Sequence, residues 1–311
     1  MPHQTTVHIL LATYNGEKYL QEQLQSIAKQ THRRWTLTVS DDGSKDRTVD
    51  IVRQFSDIVQ QPVRLLQGPK TGSPTHNFFN LIQQASIDNN QDLYAFCDQD
   101  DIWLEKKLEC AVKWHNQLEH TPARLYCGAT QYVDKNLKII GLSPKIKRSP
   151  SFSNALVQNI ASGNTMIMSH AVIMAQRKVK PNHSIWHDWT TYLVTTALGG
   201  VVFYDEIPFL LYRQHENNVI GSNHGLMANM KRLKPLLQGR FKQWNDANMA
   251  AFLDLEELPT KSAVEIHNKF KCLRAMQNPW QKFHLWKNTD IRRQSRISNF
   301  MLGMSLLFDL A

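Results

Sequence analysis

The sequence predicts an α/β protein built on a mostly parallel, doubly wound sheet, with a helical C-terminal extension. Three observations predict it. Short apolar runs alternate with amphipathic helical stretches through the first hundred residues, and strands covered by helices on both faces read as continuous apolar runs rather than as alternating ones. Polar clusters stand directly after three of those runs, at the carboxyl ends of strands where such folds bind their ligands. From about residue 225 the spacing is helical, with no further run of strands.

Residues 7–12 (VHILLA) form the first strand. After the turn Tyr14-Asn15-Gly16, the residues Tyr19, Leu20, Leu24 and Ile27 recur at helical spacing. A second strand covers 35–40 (WTLTVS) and ends in Asp41-Asp42-Gly43-Ser44; its helix starts near Asp46. Residues 63–66 form a third strand, followed by a loop over 68–74 and a helix through Phe78 and Ile82. The fourth strand, 94–97, stops at Asp98-Gln99-Asp100-Asp101. Beyond it the sequence predicts a helix over 104–118, a strand over 125–133, a flexible loop over 141–153 and strands over 163–169 and 201–204. A helix follows at 190–198.

Composition narrows the class. Apolar residues make up 42% and charged residues 20%, which excludes disordered and fibrous chains. Cys97, Cys110, Cys127 and Cys272 form no CxxC pair, so neither zinc finger nor disulfide framework is signalled. No leader and no apolar stretch long enough to span a bilayer stands out, so a soluble or peripheral protein of the cytoplasm is expected. The net charge of +9 is lopsided: residues 1–229 hold 22 basic against 20 acidic side chains, and residues 230–311 hold 14 against 7. The aromatics of the basic tail do not alternate with its cations as a base-stacking platform requires, which argues against nucleic acid.

Four clusters carry chemistry. Asp98-Gln99-Asp100-Asp101 packs three carboxylates into four positions; they repel unless a cation sits among them, and oxygen-only ligation suits Mg²⁺ or Mn²⁺. The alternative is an acidic cap on a helix starting at Ile102. Asp41-Asp42-Gly43-Ser44 is either a capped turn or a carboxylate for a base N–H or ribose hydroxyl. In His187-Asp188-Trp189 the carboxyl stands between an imidazole and an indole, which suits a general base, or else simply caps a helix. Tyr212-Arg213-Gln214-His215, followed by Asn217-Asn218, gathers a cation, an imidazole and amides suited to a diphosphate or metal, or is a solvated loop.

In this order, together with Thr13-Tyr14-Asn15-Gly16 and Ser162-Gly163-Asn164-Thr165, these strings resemble family 2 glycosyltransferases, and among them a bacterial rhamnosyltransferase-like branch. The resemblance covers about residues 5–225 and implies a GT-A fold and an inverting, metal-dependent transfer from a nucleoside diphosphate sugar, dTDP-rhamnose first and a UDP-sugar second. It implies that Thr13, Tyr14 and Asn15 border the nucleotide, that Asp41 binds the pyrimidine with Asp42 close by, and that Asp98 reaches the ribose or the metal. Asp100 would ligate Mg²⁺ or Mn²⁺, with His215 at the metal or diphosphate and Arg213 nearby. Asp101, Trp103, Gly163, Asn164, His187 and Trp189 would shape the donor-sugar and acceptor side, and Asp188 would be the catalytic base. Many relatives carry Glu where this chain has His187.

These readings divide the chain into a catalytic domain (1–225) and a basic helical region (226–311). In the latter, Lys282, Lys287, Arg292, Arg293 and Arg296 precede an apolar stretch from Phe300 to Phe308, a composition suited to lying on an anionic leaflet beside a lipid-linked acceptor. Packing on the catalytic domain, or on a second subunit, is the alternative. The expected partners are the nucleotide sugar, a saccharide or lipid-linked acceptor and a membrane surface, with the product part of a lipopolysaccharide, capsule or cell wall. Two other classes share these features in part: a nucleotidyltransferase, for which Tyr14-Asn15-Gly16-Glu17 is the wrong phosphate loop, and a non-catalytic sugar- or membrane-binding module.

Overall fold

The computed structural model describes residues 5–87, 89–118, 120–215 and 240–308. The predicted opening is present. Strands β1 (Val7–Thr13), β2 (Trp35–Asp41), β3 (Val63–Gln67) and β4 (Leu93–Cys97) run parallel, with β1 between β2 and β4. The helices α1 (Leu20–Ala28), α2 (Thr48–Ile58) and α3 (Pro74–Gln84) connect them. Alternate residues of β1 serve opposite faces of the sheet. Val7, Ile9 and Leu11 pack with Leu24, Ile27, Val52 and Phe55, whereas Leu10 packs with Phe78, Phe79 and Ile82. This two-sided cover explains why the strand reads as an unbroken apolar run.

After β4 the chain departs from the sequence reading. Ile102–Trp103 is a short strand, β5, and helix α4 spans only Lys107–Asn116, so Asp98 to Asp101 cap no helix. The predicted strand over 125–133 is two, β6 (Arg124–Gly128) and β7 (Gln131–Val133), which belong to different sheets. The loop predicted over 141–153 is bounded by β8 (Ile139–Leu142) and by a helical turn, α5 (Phe152–Ala155). Residues 163–169 split into a 3-10 turn (Gly163–Thr165) and β9 (Ile167–Ser169), followed by α6 (His170–Gln176). Helix α7 spans His187–Ala197, so His187 and Asp188 lie in its first turn rather than before it.

The main sheet has the order β10-β6-β9-β4-β1-β2-β3, with β10 at Val201–Asp205 and β9 antiparallel to both its neighbours. The strand order reverses at β1 and β4, so the crevice where ligands bind in open α/β sheets opens there. A smaller sheet, β5-β11-β7-β8 with β11 at Leu210–Arg213, walls one side of it. The string Tyr212-Arg213 is thus strand rather than solvated loop; Asn217 and Asn218 lie outside the described residues.

Four helices follow: α8 (Arg240–Leu253), α9 (Lys261–Ala275), α10 (Pro279–Lys287) and α11 (Arg296–Leu307). Phe252, Phe270, Leu273, Ile291, Leu302 and Leu306 join one continuous core with Phe78 and Leu193, each contributing on the order of 1.5–3 kcal/mol by burial. Arg293 is buried too, its Nε donating to the Val157 carbonyl at 3.0 Å and its guanidinium over the Phe241 ring. The apolar stretch 300–308 is therefore divided. Leu302 and Leu306 face the core, whereas Phe300 and Phe308 are exposed.

Candidate active site

The residues at the ends of β1, β2 and β4 are stitched together before any ligand arrives. Gln99 joins the first and last of these loops in both directions: its Oε1 accepts from Tyr14 N at 2.9 Å and its Nε2 donates to Tyr14 O at 3.0 Å. Gly16 leaves room for this approach, because a Cβ there would stand 2.3 Å from Gln99 Oε1 and displace the amide. Asn15, in the left-handed region at φ 46°, accepts from Lys45 N and donates its own N–H to Ser44 Oγ. On the other face Asn77 of α3 donates to the Ser40 carbonyl at 2.8 Å and the Thr13 carbonyl at 3.3 Å.

A cleft of about 480 Å³ opens over these loops. Its wall includes Thr13, Tyr14, Asp42, Asp98, Asp100, Gly163, His187 and Asp188 from the sequence prediction. Gln99 and Tyr212, from the predicted clusters but without an assigned role, also line it, together with Asn77, Tyr132 and Asn159, which the sequence reading did not single out. Nothing local marks Asn77 or Asn159 as different from any helix or loop amide, so only their position in the fold reveals them.

Asn15 is exposed but does not line the cleft, and most of the other predicted residues stand behind the wall. Asp41, expected against the pyrimidine, turns its carboxylate inward and accepts from Thr13 Oγ1 (3.0 Å), Gly43 N (3.2 Å), Ser44 N (2.9 Å) and Ser44 Oγ (2.5 Å). Asp42 is the carboxylate of that pair on the cleft, and it also accepts from Lys70 N at 2.6 Å and Gly72 N at 2.8 Å. Asp101 is fully buried, accepting from Arg213 N at 3.3 Å and from the Asn164 amide. Trp103 is buried in the core, and Trp189 is buried with its Nε1 donating to the Ala155 carbonyl at 2.6 Å. Asp101, Asn164, Trp103 and Trp189 thus support the pocket from beneath instead of lining it.

Arg213 is a correction of the same kind. Its guanidinium bonds Glu22 (2.6 Å), the Lys135 carbonyl (3.0 Å) and the Asp100 carbonyl (3.1 Å), and lies over the Tyr19 ring. So placed, it does not line the cleft where a diphosphate would lie; it fixes the Asp100 backbone. His215 does reach the predicted neighbourhood. Its Nε2 lies 2.8 Å from Asp100 Oδ2, and its ring stacks on Tyr19 with 5.1 Å between ring centres.

The electrostatics follow from this packing. Asp98 keeps part of its surface on the cleft, yet burial of its carboxyl raises its pKa to about 7, with Asp100 and Asp188 adding repulsion and Lys107 opposing them. Lys107 is a buried lysine that sequence reading missed. Its Nζ donates to the Asn164 carbonyl at 2.6 Å and sits 4.0 Å from the centre of the Trp103 ring. Burial lowers its pKa to about 8, against the pull of the acidic groups.

Asp188 is raised to about 6, chiefly by burial, although it accepts from Trp189 N at 2.6 Å and Gly163 N at 3.1 Å. Beside it His187 stacks on Phe78 with 3.7 Å between ring centres and meets Phe96 edge-on. Burial pushes its pKa down to about 3, so the imidazole is neutral. Gly163 is the one residue type that fits opposite, since a Cβ would stand 2.5 Å from His187 Nε2.

Among the described residues, no three His, Cys, Asp or Glu side chains are preassembled as a metal cage. The acidic wall nevertheless suits a divalent cation. Asp100 and Asp98 line the cleft, and His215 adjoins Asp100. Mg²⁺ and Mn²⁺ take few protein ligands and complete their shells with water and phosphate oxygens.

Comparison with known proteins agrees with this architecture. The chain is 30% identical over 231 residues to the dTDP-rhamnosyl transferase RfbG of Shigella flexneri, covering 72% of this chain and 78% of that protein. It is 33% identical over 106 residues to the UDP-Glc:alpha-D-GlcNAc-diphosphoundecaprenol beta-1,3-glucosyltransferase WfgD of Escherichia coli, 34% of this chain and 39% of that one. The chain thus spans well under half the length of WfgD. In structure it is similar to S. aureus TarS 1-349 in complex with UDP-GlcNAc, with a TM-score of 0.57, 16% identity, and coverage of 86% of this chain and 72% of that one. This likeness bears on the GT-A-like fold alone. Residues 8–180 match glycosyl transferase family 2, a span that carries Asp42, Asp98 and Asp100 and ends just before Asp188. With more than half its length in that match, and a cleft at the strand ends where the fold places its ligands, the chain belongs to glycosyl transferase family 2.

Proposed function

We propose that this glycosyltransferase is inverting and metal-dependent, and that it moves a sugar from a nucleoside diphosphate sugar to a saccharide or lipid-linked acceptor of a bacterial surface polysaccharide. The observation that carries the reading is the sharing of one cleft by Asp188 and the Asp98–Asp100 pair, with Asp188 held at the proton affinity a base needs near neutrality.

The donor diphosphate lies along the Asp98–Asp100 wall and the nucleotide against Thr13, Tyr14 and Asp42. An acceptor hydroxyl beside Asp188 attacks the anomeric carbon from the face opposite the leaving group. The new C–O bond forms as the bond to the diphosphate oxygen breaks, and the hydroxyl proton passes to Asp188. The N–H groups of Gly163 and Trp189 hold that carboxylate in place. Asp100, with His215 and Asp98, would hold Mg²⁺ or Mn²⁺, which when bound offsets charge on the departing diphosphate.

dTDP-rhamnose is the first candidate donor, supported by the similarity to a dTDP-rhamnosyl transferase, and a UDP-sugar is the second. The acceptor is taken to be presented at the cytoplasmic face of the membrane. No helix among the described residues is long and apolar enough to cross it. Calorimetry with dTDP and UDP, each with Mn²⁺, Mg²⁺ or EDTA, tests the donor site. Metal-dependent binding that Asp100→Ala abolishes is the expected result; binding of neither nucleotide in any condition overturns the donor assignment.

A further inference from the structure

The C-terminal helices bury one side and leave the other uncovered. On α11, Leu302 and Leu306 are buried, whereas Ile297 is 71% exposed, Phe300 67% and Phe308 64%. Ile297, Phe300 and Phe308 fall at positions i, i+3 and i+11 and therefore share a stripe, which Arg296, four residues before Phe300, continues at its N-terminal end. Helix α10 is locked alongside: a Cβ on Gly303 would stand 2.7 Å from the Trp286 ring, and Lys282 Nζ donates to the Leu306 carbonyl at 3.2 Å. It exposes Trp280 at 81%.

The basic residues of this region gather at the same end. Gln294, just ahead of α11, accepts through Oε1 from both Lys147 N and Arg148 N at 2.9 Å, and its Nε2 donates to the Arg148 carbonyl at 3.2 Å. Exposed Lys147 and Arg148 are thereby tied to the segment that carries Arg292 and Arg296. The segment they occupy begins at Ser143 and Pro144, which line the cleft. One clamp, Gln294, therefore ties the apolar stripe to the loop that walls the active site.

We infer that the Ile297–Phe300 stripe of α11, with its rim of Arg296, Arg148 and Lys147, docks on an anionic lipid surface and so sets the cleft mouth against the membrane. Aromatic and aliphatic side chains enter the acyl boundary while the cations meet lipid phosphates, the combination that holds interfacial helices. The inference deepens the membrane placement proposed above and is independent of the catalytic roles assigned to Asp188 and Asp100.

Sedimentation of the full chain with phosphatidylcholine vesicles, with and without phosphatidylglycerol, tests it. The protein should pellet with the anionic vesicles only, and high salt should release it. Phe300→Ser combined with Ile297→Ser, and separately Arg148→Glu combined with Arg296→Glu, should each weaken binding by about tenfold or more. Melting temperature and nucleotide binding in solution should stay at wild-type values, which separates lost docking from lost folding or a wrong donor site. Binding to neutral vesicles that is equal and salt-resistant overturns the inference. So does absence of binding to the anionic vesicles; a dimer that Phe300→Ser dissociates would then assign the stripe to a second copy.

Discussion

Replacing Asp188 by Asn should make the protein more stable and nearly inactive at the same time. In the fold the carboxyl titrates at about 6, against an ordinary value of 3.8. Below both values the group is protonated whether or not the chain is folded, and it contributes nothing to the pH dependence. Between them the folded protein keeps a proton that the unfolded chain has released, so stability declines as pH rises through this window. At pH 7.5 the full penalty is present, about 3 kcal/mol at 1.36 kcal/mol per pKa unit, less whatever water reaches the carboxylate from the cleft. Asn carries no charge and has nearly the shape of the protonated acid, but its Nδ2 cannot accept, so one of the bonds from Trp189 N and Gly163 N is lost, at about 1 kcal/mol. Asp188→Asn should therefore melt higher than wild type at pH 7.5 by up to roughly 3 °C, and slightly below wild type at pH 3, where only the lost bond remains. Turnover should fall by about 100- to 10,000-fold, and wild-type kcat/KM should lose activity on the acid side near pH 6, where the base becomes protonated. The assays are scanning calorimetry at the two pH values and transfer from labelled donor. A variant within tenfold of wild-type turnover would refute the assignment of the base. One that melts below wild type at pH 7.5 would refute the buried-charge argument.

Gly163→Ala should be poorly tolerated, because His187 is pinned between Phe78 and Phe96 and cannot yield to a Cβ 2.5 Å away; a loss of about 1–3 kcal/mol in chemical denaturation is expected, together with lower kcat from a displaced Asp188. Gln99→Ala removes both bonds between the loops after β1 and β4, so nucleotide affinity should drop by about tenfold or more in calorimetry. Lys107→Met leaves the Asn164 carbonyl and the surrounding carboxyls without their buried cation. Urea denaturation should show a loss of about 1–3 kcal/mol from the unsatisfied Asn164 carbonyl, offset in part because burial disfavours the charged lysine itself.

How far the sequence could be read is clearest at particular residues. The run VHILLA announced a strand covered on both faces, and the carboxylates after β2 and β4 announced ligand-binding strand ends, because both signals are local and periodic. The short elements beyond β4 were not legible. Ile102 and Trp103 form a strand only because Leu211 and Leu210 arrive from more than a hundred residues away to pair with them, and residues 125–133 split because the chain passes there from one sheet to another. Among site residues, Asp98, Asp100 and Asp188 announced themselves by charge and order, whereas Asn77 and Asn159 carry no such mark.

The sequence by itself determined the alternation of strand and helix, the placing of acidic groups at strand ends, the resemblance to family 2 and the basic, partly apolar C-terminal region. Only the tertiary structure decided which polar groups face the cleft and which brace it. Asp41 and Asp42 are adjacent and chemically identical, yet one carboxylate is taken up by Ser44 and Thr13 while the other lines the cleft. Arg213 holds Glu22 and the backbone of Asp100 instead of standing free for a ligand. The physical reason is that a polar side chain's role is set by which partners are within hydrogen-bond reach, and those partners come from distant parts of the chain. Periodicity reports which elements form; only their packing brings the partners together.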